Sequence, residues 1–235
     1  MNDNIKYIRE TLRSLSDEKT RNSGQRYFKE EVKLYGVKTS EVQKLSKEYF
    51  NLLNTLSKPE VYALCNNLWQ SGYMEESFIA CNWSYNIRKQ YEPSDFAIFK
   101  YWIENYLTNW ASCDTLCNHT VGTFIEMFPD CIQQLKEMTG SPNRWARRAS
   151  AVSLIIPARR GKFLGDIFEI AGLLLTDKDD MVQKGYGWML KSASQAHQEE
   201  VFGFVMKHKA MMPRTALRYA IEKMPTTMKA KAMEK

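Results

Sequence analysis

A chain of 235 residues with 44% hydrophobic side chains is long and apolar enough to bury a full core, which excludes a disordered tail. Its 33 Lys+Arg against 27 Asp+Glu give a formal charge of +6, which favours a polyanionic partner but does not bear on the fold. No apolar run approaches the roughly 18 residues that cross a bilayer, and the most apolar stretch, 167–175, is interrupted by Glu169. Cys65, Cys81, Cys113, Cys117 and Cys131 are odd in number and the first residues are polar, so reduced thiols, no signal peptide, no membrane and a cytoplasmic location are expected.

In chain order the sequence reads as helices throughout. Ile5, Ile8, Leu12 and Leu15 recur at helical spacing, and Tyr27, Val32 and Leu34 suggest a second helix stopped by Gly36. Ser40 with Gln43 predicts a capping box, as does Ser57 with Glu60, where Pro59 sits in the first turn and Gly72 ends the helix. Further helices are expected over 74–90, from Pro93-Ser94, from Trp110, beyond Pro129 and from Ser141-Pro142. Others follow over 163–175, 179–196 and 198–209 and beyond Pro213. The period-two alternation of strands is missing. Many helices with short connections predict an all-α, HEAT-like solenoid of antiparallel helix pairs with a concave basic groove, a globular bundle being the alternative. The boundaries expected are one domain over 1–224 and a frayed basic tail over 225–235, with Lys229, Lys231 and Lys235.

Three stretches carry chemistry. Trp110 and Asp114 stand four residues apart and so share a helix face, although most aspartates are caps or ion-pair partners. In Asn143-Arg144-Trp145-Ala146-Arg147-Arg148, Arg144 and Arg148 face one way with Arg147 alongside, at a pitch that can reach successive phosphates, while Trp145, Ala149 and Val152 pack inward. Arg159, Arg160 and Lys162 follow, and within 141–170 only Asp166 and Glu169 oppose them; a solvated charged face is the plain reading of such a run. Lys184, Trp188 and Lys191 form a third face, an indole between two lysines, where core packing is the plain reading of Trp188. Cys113, Cys117 and His119 match no zinc pattern, and no Gly-rich phosphate loop or Ser-His-Asp order is present, so neither metal nor cofactor is called for.

Together, Asn109-Trp110 with Asp114, Asn143-x-Trp145-x-x-Arg148-Ala149 and Val182-Gln183-Lys184-x-x-Gly187-Trp188-x-Leu190 resemble the AlkD-type bacterial DNA glycosylases, HEAT-like repeat enzymes that release alkylated purines. The resemblance runs from about Arg26-Tyr27 to the Trp188 helix. It implies that Asp114 is the catalytic carboxylate, that Trp110 and Trp188 flank the damaged nucleotide's sugar, that Arg148 binds the backbone and that Tyr27 lies near the lesion. Lys38 stands where the best-known members have Gln, Ile156 where they have a basic residue, and Lys191 where they have Arg. The expected partner is double-stranded DNA with alkylated bases, with no obligate protein partner. The alternatives are a non-catalytic binder of damaged or branched DNA, and a scaffold for acidic peptides.

Overall fold

The structure, a computed structural model, describes residues 2–53 and 55–234. Met1, at the head of the polar start, Asn54, and Lys235, at the end of the tail, lie outside the described residues. Among the described residues there is no strand, and the helices bury faces mainly against neighbours one or two helices away in the chain, which is the HEAT-like, all-α pattern expected from the sequence. No described helix is long and apolar enough to cross a membrane. The chain divides into two compact units, Met1–Leu116 and Cys117–Lys235, where one domain over 1–224 is expected from the sequence.

The first unit holds α1 (Asn2–Ser14), α2 (Glu18–Gln25), α3 (Thr39–Leu52), α4 (Lys58–Gln70), α5 (Met74–Asn86), α6 (Phe96–Tyr106) and α7 (Trp110–Thr115). α5 packs on α3, α4 and α7, and α4 also on α6. Trp83, Phe96, Phe99 and Trp102 are wholly buried there, with Tyr62 meeting Phe99 and Trp102 edge-on at 6.0 and 5.8 Å between centroids. The capping box before α4 forms, Ser57 N donating to Glu60 Oε2 at 2.8 Å, and Gly72 follows the helix at φ 73°.

Two expectations in this unit are corrected. α3 begins at Thr39 with Lys38 as its cap and no side-chain capping bond, so Ser40 and Gln43 form no capping box. The second helix lies earlier, over Glu18–Gln25, capped by Asp17, whose carboxylate accepts Thr20 N at 2.7 Å. Tyr27, Val32 and Leu34 follow it in non-helical chain. Side chains hold that segment away from a helix. Gln25 accepts Val32 N and donates to Glu30 O, and buried Glu75 accepts the amides of Tyr35, Gly36 and Val37 at 3.0, 2.8 and 3.2 Å. Gly36, at φ 85°, passes so close to α2 that a Cβ would lie 2.5 Å from Asp17 O.

A π-helical turn covers Leu116–Val121. The second unit holds α8 (Gly122–Met127), α9 (Ile132–Met138), α10 (Arg144–Val152), α11 (Ile155–Arg159), α12 (Leu164–Leu173), α13 (Asp180–Ala193), α14 (Gln198–His208), α15 (Arg214–Ala220) and α16 (Thr226–Met233). α13 is central, packing on α10, α11, α12, α14 and α15. Its Val182, Tyr186, Met189 and Leu190 are buried, and Tyr186 Oη donates to Leu175 O at 3.0 Å. The expected fraying of the tail is corrected: 226–233 are helical, Ala232 is buried, and Lys209 Nζ donates to the carbonyls of Lys231 and Glu234 at 3.1 and 2.9 Å.

Candidate nucleic-acid interface

α7 begins where Asn109 Oδ1 accepts Ser112 N at 2.9 Å. Its inner stripe, Ser112, Cys113 and, beyond it, Leu116 and Cys117, is buried, and Ser112 Oγ meets Ser77 Oγ of α5 at 2.6 Å. Trp110, Ala111, Asp114 and Thr115 are therefore left on the more open face, each half-buried. The Trp110 indole is held from two sides: it stacks on Phe28 at 5.3 Å between centroids, and its Nε1 donates to Tyr27 O at 3.4 Å. Asp114 thus lies one turn from a positioned aromatic face and two residues before the π turn. Such turns are rare and frequently occur at functional sites.

Trp110, Tyr27 and Lys38 share one cavity of about 680 Å³, with Phe28, Phe78, Asp17 and Glu75 among its other walls. Tyr27 is 73% exposed and Lys38 is exposed. Asp114 is outside this lining. The wall is set by Glu75, whose three amide bonds fix the loop between α2 and Lys38. Next to it, wholly buried Glu76 takes Arg9 at 3.0 Å and the Tyr35 hydroxyl at 2.7 Å. Burial, reinforced by that bond, pushes the Tyr35 hydroxyl far above its ordinary range, so it remains a donor. The sequence reading missed both acids and Phe28. The available signal was a pair of adjacent carboxylates, Glu75-Glu76, at the head of the largely apolar helix α5.

The arginine helix behaves differently from expectation. Trp145, Ala149 and Val152 pack inward, but so does Arg148, which is 4% exposed, packs on Gly185 and donates through Nη1 to Met181 O. Arg144 Nε pairs with Asp179 at 2.8 Å and Arg147 Nε with Asp177 at 2.7 Å, while Arg160 and Lys162 both pair with Glu126. Counting acids within 141–170 missed these partners because they lie on either side of that window. On α13, Lys184 pairs with Asp180 at 3.2 Å and Lys191 with Glu222 at 2.9 Å. Trp188 between them is half-buried, whereas Tyr186, Met189 and Leu190 fill the core. Cys113 and Cys117 are buried and form no disulfide, and no cluster of three or more possible metal ligands occurs among the described residues.

The family model for DNA alkylation repair enzymes matches residues 8–224. The chain belongs to the DNA alkylation repair enzyme family. Among solved structures, one described as a predicted DNA alkylation repair enzyme from Enterococcus faecalis superposes with a TM-score of 0.81 over 90% of this chain and 97% of its own. At 16% identity that likeness is one of fold. No curated protein matches. As a DNA alkylation repair enzyme the chain has a role in DNA repair, which gives its surface indoles and cations a nucleic-acid context.

Proposed function

We propose that this member of the family is a monofunctional DNA glycosylase that hydrolyses the N-glycosidic bond of N3- and N7-alkylated purines in duplex DNA. The observation that carries the reading is Asp114, a carboxylate on the open face of α7, one turn beyond an indole pinned by Phe28 and the Tyr27 carbonyl. A carboxylate hidden in the apolar core could not serve, since it would meet neither DNA nor water.

Ordinary glycoside hydrolysis needs two carboxyl groups because the leaving oxygen must be protonated. A purine alkylated at N3 or N7 already carries positive charge and departs as a neutral base, so one carboxylate suffices. Asp114 stabilises the oxocarbenium-like sugar and orients water towards its anomeric carbon. A carboxylate about 4 Å from a unit cation contributes roughly 4 kcal/mol at an effective dielectric of about 20, or about three decades in rate. Trp110 offers its indole face to the cationic sugar, worth about 0.5 to 2 kcal/mol. Tyr27 and Lys38 approach the lesion strand. Arg144, Arg147, Lys184 and Lys191 contact phosphates while keeping their carboxylate partners, and buried Arg148 positions α13 behind them.

The test is Asp114→Asn on duplex DNA containing 7-methylguanine. The variant binds the duplex as the wild type does and releases base about a hundredfold or more slowly under single-turnover conditions. Release at the wild-type rate would remove Asp114 from the chemistry.

A further inference from the structure

Most of the cations singled out in the sequence of the second unit are committed within the protein: Arg144, Arg147, Lys184 and Lys191 each hold a carboxylate, and Arg148 a backbone carbonyl. A cation already neutralised by a neighbour releases fewer counterions when it meets DNA. The next helix of the row is different. On α15, Arg214 and Arg218 are one turn apart and exposed, and among the described residues neither makes an ion pair or side-chain hydrogen bond.

Their direction follows from α13. Gly187 brings α15 so close that a Cβ there would lie 2.7 Å from Tyr219 Cβ and 2.8 Å from Ala216 O. Lys191, the last residue of the Lys184–Trp188–Lys191 stripe, crosses to α15, pairing with Glu222 at 2.9 Å and lying over the Tyr219 ring at 5.4 Å. Lys191 thus ties the Lys184–Trp188–Lys191 stripe to Glu222, exposed just beyond the end of α15. Arg214 and Arg218 share one face of α15, opposite buried Ala216 and Ala220, and stand eight and four residues before Glu222.

We propose that Arg214 and Arg218 are the principal phosphate-gripping residues of the second unit and extend the Trp188 face along the DNA backbone. Their role is to position the duplex; they take no part in breaking the glycosidic bond. The inference rests on the proposed DNA-acting function.

The experiment measures fluorescence anisotropy of an undamaged labelled duplex with wild-type protein, Arg214→Ala/Arg218→Ala and Arg214→Lys/Arg218→Lys across a salt series. Each phosphate contact contributes about 0.9 to the slope of log affinity against log salt. The double alanine variant should have a slope shallower by about 1.8 and, at 0.1 M salt, an affinity about tenfold lower or more, with the slope restored by lysine. Its melting temperature and its single-turnover base release at saturating protein should match the wild type. An unchanged slope in the alanine variant, with wild type binding normally, overturns this assignment alone. Absence of salt-dependent binding in the wild type overturns the DNA-acting reading with it.

Discussion

Replacing Glu75 by Ala removes one carboxylate from three backbone amides in a buried setting. Each orphaned amide costs about 1 to 3 kcal/mol before any rehydration, so Glu75→Ala should lower unfolding stability in urea by about 3 kcal/mol or more. Glu75→Gln, which keeps one acceptor oxygen, should fall between the two; equal stability of all three proteins would show that the loop holds itself. The contrast with Asp114 is instructive. The i, i+4 spacing of Trp110 and Asp114 placed them on one helix face from sequence alone, because helical periodicity is local. Glu75 binds residues 38 to 40 positions earlier, a pairing that no local pattern contains. The same distance hid the acids that hold Arg144 and Arg147, 30 to 35 positions further on.

At the level of helices, the contact between α13 and α15 depends on Gly187 lacking a side chain. Gly187→Ala should destabilise the protein by about 1 to 3 kcal/mol in thermal or urea unfolding through overpacking against backbone. Gly203→Ala, inside α14 with nothing within 4 Å of the new Cβ, should instead stabilise it by about 0.5 to 1 kcal/mol. A neutral Gly187→Ala would mean that α15 is free to shift away from α13. Helix beginnings were readable where the cap was a local side chain: Ser57 with Glu60 behaves as its pattern predicts. Ser40 with Gln43 carries the same pattern but does not cap, because the cap falls two residues earlier, at Lys38, and Ser40 is already inside α3. The helix expected through Tyr27 and Leu34 does not form because Gln25 and Glu75 take its amides, a tertiary preference that overrides apolar spacing.

For the whole molecule, an all-helical chain with neighbour-to-neighbour packing was legible because helical periods and short connections recur along its length. The tail was misjudged because its lysines mask Ala232, whose burial seats α16. The division into two compact units was not legible, since no Pro- or Gly-rich linker marks residues 116 and 117. Family membership makes the protein a DNA alkylation repair enzyme, and the arrangement of Trp110 and Asp114 argues for excision by charge stabilisation at the sugar. That account ties activity to a base that is already cationic. The most direct measurement is release of free base by the wild-type protein, under single-turnover conditions, from matched duplexes carrying 7-methylguanine or uracil. Release of 7-methylguanine with no detectable release of neutral uracil is the predicted result; tight binding of the methylated duplex without release of its base would contradict it.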